Sequence, residues 1–305
     1  MKKIILWLLG IVFILVIVAV IYIGYKLFAV GDAIHQPLDR DKSNLRDKKV
    51  NLKDGDPFTI ALFGVDSNAE RNAQGAGQRS DTIMVLSINP KKKTTEMVSI
   101  PRDTQAKIVG KGSTEKINHA YAYGGPDMAV KSLEKLLNVP IDHYATIDMD
   151  GMQQMIDTVG GIDVTSNATF SYKGYQFTQG EKSHMDGKEA MAFLRSRKEN
   201  GAGGDFGRQA RQQLVIQVLA NKMTSTSSIT HFNDLTKQIE KNVKTDLKLS
   251  ELYTVRNHYK NANKNVHKQL LEGQGGIQND GLYYYVPSDD SLSQIESAIN
   301  DNLNQ

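Results

Sequence analysis

The chain has no cysteine among its 305 residues, so an exported form of it has nothing to oxidise and no lipoprotein lipobox is present. It also lacks an excess of one charge: 37 Lys and Arg face 34 Asp and Glu, a net charge of +3. That balance gives nucleic-acid binding little support. The seven histidines form no metal-ligand pattern, and neither a P-loop nor a G-x-S-x-G motif occurs. Any cationic site must therefore be local.

One long apolar run is present near the N-terminus. Ile4 to Tyr25 carries no charge, and as a helix it would be about 33 Å long, enough to cross a hydrocarbon core. Lys2 and Lys3 precede it, which keeps the N-terminus in the cytoplasm. A cleaved signal peptide is the alternative, but no A-x-A site follows. The sequence predicts a signal anchor over residues 1–26, a single pass through the cell membrane, and an extracellular remainder.

Residues 27–57 are polar and mixed in charge, which predicts a solvated stalk. From residue 58 to 305 short β-rich runs such as FTIALFGV and TIMVLSI alternate with helical patterns such as PDMAVKSLEKLLN and GRQARQQLVIQVLANKM. This alternation predicts one α/β domain whose sheet is covered by helices on both faces.

Polar clusters fall at the ends of three predicted strands. Asp66 follows the first strand, Arg79 and Asp81 precede the second, and Arg102 and Asp103 follow the third. Ligands of open α/β sheets bind at strand ends. Each cluster also has a structural interpretation: Asp66 as a turn former, Asp81 as a partner of Arg79, and Arg102 with Asp103 as an ion pair.

A second cluster lies far along the chain, in LRSRKENGAGGDFGRQARQQ, where arginines surround a glycine-rich loop. Arg195 and Arg197 precede the loop. Arg208, Arg211 and Gln212 follow it at helical spacing, so they can share a face near a helix N-terminus, which suits phosphate. A solvated helix face is the alternative for Arg211.

Together these clusters favour a diphosphate ligand. Arginines that converge repel one another unless an anion lies between them, and their planar donors match phosphate oxygens. Asp66 and Asp81 would then hold Mg²⁺, with Mn²⁺ as a substitute, since Mg²⁺ takes one or two carboxylates together with phosphate oxygens. Lys116, in KINHAYAYGG, supplies a further cation. Met149, Met152 and Met155 are flexible enough to line a lipid slot, although a packed core is the default interpretation.

These motifs, in this order, resemble the LytR–CpsA–Psr family of Gram-positive cell-envelope proteins. The resemblance is carried by FGVDSN, GQRSDTIMVLSINP, VSIPRDT, KINHAYAYGG, VPIDHYATIDMDGMQQMIDTVGGIDV, MDGKEAMAFLRSR and GDFGRQARQQ, a motif core over residues 58–223. The GLYYYVPSDDSLSQIESAI tail is similar to the end of the family's domain. The resemblance implies a three-layer α/β/α fold with a central mixed sheet and a tunnel for a polyprenyl chain.

The resemblance also implies a phosphotransferase activity. A glycopolymer, either wall teichoic acid or capsule, would pass from polyprenyl pyrophosphate to peptidoglycan with Mg²⁺, leaving polyprenyl phosphate. Two alternatives stay open. The protein could hydrolyse the polyprenyl pyrophosphate, or it could be a non-catalytic binding or regulatory module for wall polymer.

Residue roles follow the matching motifs. The metal ligands implied are Asp66 and Asp81, and the candidate catalytic residues are Arg102, Asp103 and Asp81. The implied pyrophosphate-binding residues are Arg79, Arg102, Lys116, Arg195, Arg197, Arg208 and Gln212. Many members have an arginine shortly after the PRD motif, where this chain has Gln105, Ala106 and Lys107. That contact is either missing or supplied by Lys107.

Overall fold

The computed structural model describes residues 24–26, 28–66, 78–223 and 232–304. The side chains of Asp66, Ala220, Met223 and Phe232 lie outside this description. Most of the apolar run predicted as a membrane anchor, residues 4–23, also lies outside it. In the described part of the chain, no helix combines the length and apolar character needed to cross a membrane.

A mixed sheet of six strands forms the centre of the domain, in the order β11-β6-β1-β2-β3-β12. Its strands are β1 Phe58–Asp66, β2 Arg79–Asn89, β3 Thr94–Ser99, β6 His143–Asp148, β11 Val243–Thr245 and β12 Asn265–Leu270. Shorter strands form two-stranded pairs around it: β4 Gln105–Lys107 with β5 Thr114–Lys116, β7 Ile162–Thr165 with β10 Lys182–Met185, β8 Phe170–Tyr172 with β9 Tyr175–Phe177, and β13 Gly273–Ile277 with β14 Tyr283–Pro287.

The strand directions bring the predicted polar clusters to one edge of the sheet. β1 and β6 run parallel, so both end at this edge, and Asp148 is the last residue of β6. β2 is antiparallel to β1 and begins there, with Arg79 paired to Asp66. β3 is antiparallel to β2 and ends there, just before Arg102. Residues 66, 79, 102 and 148 therefore share one end of the sheet.

The helices are α1 Asn118–Leu137, α2 Met149–Thr158, α3 Gly187–Arg195, α4 Gly204–Met223, α5 Phe232–Asn242, α6 Leu249–His258 and α7 Asp289–Leu303. Apolar side chains on opposite faces of β1 pack into different clusters. Ala61 and Phe63 join α1 and α7 in one buried cluster, whereas Phe58 and Ile60 pack with residues of α6 in another. Helices therefore cover both faces of the central mixed sheet, as the α/β prediction requires.

Several boundaries differ from the sequence predictions. α1 begins at Asn118, eight residues before Pro126 where the helix was expected to start, because it continues across a kink at Gly124 and Gly125. Gly125 has φ 60°, which suits glycine, and Pro126 then begins the second half as a first-turn residue. Arg79 and Asp81, expected before β2, are part of it, since pairing with β1 extends to Arg79.

The described residues of the predicted stalk lie against the domain. Arg40 makes an ion pair with Glu134 of α1, and Arg46 makes one with Asp142. Leu52 is buried beside Phe58. The polar composition of residues 27–57 does not predict these contacts, because two of them are ion pairs and do not depend on a periodic pattern of apolar residues. The domain boundary at residue 57 itself stays a prediction.

Candidate functional site: an arginine-lined cavity at the sheet edge

A cavity of about 310 Å³ opens between the start of β2, the connection after β3, and the helices α2, α3 and α4. Among the residues that the structure describes, its lining comes from five of the motifs named above, although none comes from FGVDSN or KINHAYAYGG: Asp81, Thr82, Arg102, Met149, Asp150, Arg195, Arg208 and Gln212. Three arginines that are distant along the chain thus face one space, in which two aspartates are also present. This is the cationic and anionic site that the sequence indicates.

Arg102 lies between two carboxylates on one side of this cavity. Its Nη1 is 3.1 Å from Asp81 Oδ1, and its Nε is 3.6 Å from Asp103 Oδ2. Burial alone would lower the pKa of Arg102, but the nearby charges of Asp81 and Asp103 raise it above its ordinary value. Lys116 contacts the far oxygen of Asp103 at 3.1 Å. Asp103 therefore joins Arg102 and Lys116, and the cation at Arg102 is permanent.

The other arginines are held by aspartates that the sequence interpretation did not select. Arg195 Nη2 is 3.2 Å from Asp150 Oδ1. Asp205 accepts from Arg208 at 2.5 Å and lies 3.9 Å from Arg197 Nε. Asp205 precedes Arg208 by three residues in the first turn of α4, a spacing that could have indicated the pair. Asp150 carries no comparable signal, because its partner lies on another helix.

The pKa of Arg208 is lowered by burial and in part by the positive charges of its neighbours. Burial lowers the pKa of Arg208; Asp205 opposes this, and the positive charges of Arg102 and Arg197 lower it further. Desolvation and like-charge repulsion both favour a ligand that brings negative charge into the cavity. A bound anion would therefore stabilise the charged form of Arg208.

Unpartnered buried polar atoms concentrate around this site. Among the described residues, the buried side-chain atoms without a hydrogen-bond partner include Thr82 Oγ1, Arg208 Nε, Arg79 Nε and Ser80 Oγ. Thr82 and Arg208 line the cavity, and Arg79 and Ser80 lie at the start of the same strand as Thr82. Buried polar groups are normally paired. Their incomplete pairing here is typical of a site that a polar ligand completes.

The floor of the cavity is apolar. A narrow extension shares Thr82, Met149 and Gln212 with the cavity and is lined further by Gly64, Met152, Leu194 and Ile216. Gly64 is needed at this point, since a Cβ there would lie 2.9 Å from Thr82 Cβ and 3.0 Å from Met149 Sδ. Met149 and Met152 thus border this narrow space, whereas Met155 is fully buried in the adjoining core. The site joins a cationic opening to an apolar extension.

Arg211 neither faces the cavity nor lies on a solvated helix face, which are the two positions that the sequence suggests for it. It is fully buried and donates to the backbone carbonyls of Phe193 at 2.9 Å, Ala202 at 2.8 Å and Ser196 at 2.7 Å. Its guanidinium also lies 4.6 Å from the ring centre of Phe170. Burial lowers the pKa of Arg211 to about 10. Arg211 therefore fixes the loop between α3 and α4 rather than facing the cavity with Arg208.

The remaining predicted residues lie around the site without lining the cavity. Arg79 begins β2, Arg197 reaches Asp205, and Lys116 with Asp103 lies behind Arg102. Asp66 ends β1 at the same edge, and its side chain is outside the described residues. Lys107 lies in β4 and is exposed. Gln212, predicted beside the arginines, lines both the cavity and its apolar extension.

A divalent cation can be tested against this set of donors. The described residues contain no group of three or more His, Asp or Glu able to hold a metal. Asp81 nevertheless presents a carboxylate to the cavity beside the unpartnered hydroxyl of Thr82. Mg²⁺ commonly takes only one or two carboxylates and completes its shell with water and phosphate oxygens. The residues present therefore fit a Mg²⁺ ion bound together with a phosphate ligand.

Fold and site together define an α/β protein that collects arginines around a cavity at the edge of a mixed sheet. The model of the LytR_cpsA_psr family matches residues 21–301, and the chain belongs to this family. One relative is the polyisoprenyl-teichoic acid–peptidoglycan teichoic acid transferase TagU of Bacillus subtilis strain 168. It is 43% identical over 282 residues, which cover 92% of this chain and 89% of TagU.

Solved structures of similar proteins share the fold. The crystal structure of B. subtilis TagU is 40% identical, with a TM-score of 0.65 and coverage of 82% of this chain and 98% of that one. A TagT structure bound to LIIa-WTA is 28% identical, with a TM-score of 0.71 and coverage of 88% and 99%. The family predicted from the ordered motifs is thereby confirmed.

Proposed function

We propose that this protein transfers a teichoic acid from a polyprenyl diphosphate carrier to peptidoglycan, releasing polyprenyl phosphate. The observation that carries the proposal is the convergence of Arg102, Arg195 and Arg208 on a cavity whose floor becomes apolar. The cavity suits a diphosphate head group, and its apolar extension, about 10 Å³ in volume, would have to widen to admit the hydrocarbon chain of the carrier. Relatives 43% identical bear the name of teichoic acid transferases, which supports this polymer over a capsule.

The chemistry is an in-line displacement at phosphorus. A hydroxyl oxygen of peptidoglycan attacks the sugar-bearing phosphorus, and the bond from that phosphorus to the bridging oxygen breaks. The leaving group is polyprenyl phosphate. Arg102, Arg195 and Arg208 stabilise the negative charge on the diphosphate oxygens, since preorganised donors in a partly buried cavity need little reorganisation. The protein thus acts mainly by positioning the diphosphate and neutralising its negative charge.

The proton of the attacking hydroxyl must reach a base. Asp81 lines the cavity, whereas Asp103 lies between Arg102 and Lys116 and does not line it. We therefore assign proton acceptance to Asp81 and the orientation of Arg102 to Asp103. A bound Mg²⁺ ion, held by Asp81 and by Asp66 at the end of β1, would supply further charge neutralisation on the diphosphate.

The membrane arrangement belongs to the same proposal. Residues 4–25 would anchor the chain in the cell membrane with its N-terminus inside, so that the domain meets the lipid carrier and peptidoglycan outside the cell. The stretch from residue 28 supports this arrangement, because helix continues to Ile34, where the chain turns into the domain.

One reconstituted assay tests the proposal. Full-length protein in nanodiscs is given a labelled polyprenyl-diphosphate-linked teichoic acid, with and without peptidoglycan. Transfer predicts label in peptidoglycan and one equivalent of polyprenyl phosphate, both dependent on the acceptor. Equal release of polyprenyl phosphate without peptidoglycan would establish hydrolysis instead. Metal-independent binding of the polymer with no product would establish a binding module.

A further inference from the structure

A second cavity, of about 280 Å³, adjoins the site and shares Arg195 with it. Its polar lining consists of Gln153, Lys173, Tyr175, Lys188 and Arg195, and the residues that line it include no carboxylate. Lys173 and Lys188 are exposed and make no ion pair with any residue that the structure describes. Lys173 lies outside the motifs quoted above, and Lys188 lies within MDGKEAMAFLRSR but received no role there.

The two lysines are held on rigid elements rather than on mobile loops. Lys188 and Arg195 are both on α3 and are seven residues apart, so they lie on one face about 10 Å from each other. Lys173, with φ 50°, occupies the tight turn between β8 and β9. Phe177, in β9, packs 5.1 Å from Phe193 of α3. The hairpin that presents Lys173 is therefore fixed to the helix that carries Lys188 and Arg195.

This spacing suits an anion longer than one phosphate. Cations spread over two helical turns and an adjoining hairpin can contact successive phosphate groups of a polymer chain at the same time. Arg195 faces both cavities, so a group in the second cavity lies next to a diphosphate bound in the first. The donor polymer is covalently attached to that diphosphate. The acceptor hydroxyl, by contrast, must approach the phosphorus opposite the leaving lipid phosphate.

We propose that Lys173, Lys188 and Arg195 form a subsite for the phosphodiester groups of the donor polymer, which selects an anionic polymer over a neutral one. This inference rests on the proposed transfer function. The lysines donate to phosphate oxygens near the polymer's attached end, and Tyr175 and Gln153 provide further hydrogen-bonding groups. The subsite thus determines which polymer is used, while the arginine cavity carries out the transfer.

The test compares two synthetic donors on the same polyprenyl diphosphate. One ends in a neutral disaccharide, and the other extends that disaccharide by a short glycerol phosphate oligomer. For the unmodified protein, kcat/KM should favour the extended donor on the order of tenfold, as expected for two partly exposed cation–phosphate pairs. In the Lys173→Ala/Lys188→Ala variant this ratio should fall to about one. High salt should reduce the preference of the unmodified protein.

The matched control is Lys91→Ala/Lys264→Ala, which removes two exposed lysines at the opposite end of the sheet, beside the end of β2 and the start of β12. It should keep the full preference. A Lys173→Ala/Lys188→Ala variant that also keeps the preference would overturn the inference. So would equal losses for both donors with a raised KM for peptidoglycan, which would assign the lysines to the acceptor.

A binding measurement separates this inference from the proposed function. The glycerol phosphate oligomer alone should bind the unmodified protein more tightly than the double-lysine variant, again on the order of tenfold. If the unmodified protein transferred neither donor, the proposed function would fail while this binding difference still decided the subsite. Equal binding by both proteins would refute the subsite even if transfer were observed.

Discussion

The guanidinium of Arg102 lies 3.1 Å from the carboxylate of Asp81, although Asp81 lies in β2 and Arg102 in the connection that follows β3. β3 ends and β2 begins at the same edge of the sheet, and this alone brings them together. A further contact, from Arg102 to Asp103, fixes the guanidinium from its other side. The sheet topology therefore holds the central cation in place before any ligand binds.

Arg102→Ala should remove most of the transfer activity. The guanidinium stabilises charge that develops on the diphosphate, so its loss should cost about 2 to 4 kcal/mol of barrier, or roughly 10² to 10³-fold in kcat. Arg195→Ala should act in the same direction. Single-turnover transfer from a labelled donor measures both effects. Arg256→Ala, an exposed arginine of α6, is the control and should keep full activity. Normal transfer by purified Arg195→Ala would count against the site.

Removing divalent metal should stop transfer without unfolding the protein. Asp81 presents one carboxylate to the cavity, and the proposed ion completes its shell with the substrate. EDTA should therefore abolish product, and Mg²⁺ or Mn²⁺ should restore it. Asp81→Asn removes both a proposed metal ligand and the assigned proton acceptor, so it should lower kcat and also require a higher Mg²⁺ concentration for half-maximal rate. Full activity in EDTA, with metal content verified by elemental analysis, would remove the metal from the account.

Arg211→Met should destabilise the protein and impair transfer only indirectly. The substitution leaves the carbonyls of Phe193, Ser196 and Ala202 without their donor, and unsatisfied buried groups cost about 1 to 3 kcal/mol each. Denaturant unfolding should show a loss of roughly 3 kcal/mol or more. Arg208→Met removes a cation that lines the cavity and is the comparison; it should lower transfer more than stability. If Arg208→Met lowered stability more and Arg211→Met lowered transfer more, the structural role of Arg211 and the binding role of Arg208 would both be contradicted.

Asp205→Asn should loosen two arginines at once. Asp205 accepts from Arg208 and lies near Arg197, so its neutral form holds both less firmly. We expect the Kd for a short-chain polyprenyl diphosphate to change less than fivefold, because both arginines keep their charge. We expect kcat to fall about tenfold, because the transfer step depends on where the guanidinium groups are held. Titration calorimetry and single-turnover transfer separate the two quantities. A large change in Kd with unchanged kcat would contradict this assignment.

The interactions of Glu115 should make the stability of the protein depend on pH in the acidic range. Burial would raise the pKa of Glu115, but hydrogen bonds from Ser113, Tyr123, His119 and Lys111 lower it well below its ordinary value of 4.5. A carboxyl whose folded pKa is depressed contributes stability above its unfolded pKa, and this is lost as pH falls toward the folded value. The free energy of unfolding should thus change less between pH 6 and pH 3 in Glu115→Gln than in the unmodified protein. Glu181→Gln, at an exposed position, should leave the slope unchanged.

The sequence was informative where function depends on residue type at strand ends. Asp81, Arg102, Arg195 and Arg208 were all selected from their motifs, and the structure brings them to one cavity. Their convergence agrees with the expectation that clustered arginines face an anion, and the roles assigned to these residues stay predictions. The central mixed sheet and its helical covering were predictable, since alternating β-rich and amphipathic runs specify layers.

What the sequence could not supply was the direction in which each side chain points. Arg211 has the helical spacing of a site residue, yet it is fully buried and donates to backbone carbonyls at the end of α3 and in the loop that follows. Asp150 reaches Arg195 through packing of α2 against α3, which no local pattern records. Lys173 and Lys188 become neighbours of Arg195 only when the β8–β9 hairpin packs on α3. These are tertiary relationships between elements whose local sequences are ordinary.

The most direct measurement is a crystal structure with a short-chain polyprenyl diphosphate and Mg²⁺. The account predicts the diphosphate within hydrogen-bonding distance of Arg102, Arg195 and Arg208, with its first isoprene units against Met149 and Met152. A diphosphate bound elsewhere on the domain, with these three arginines still paired only to their aspartates, would contradict it.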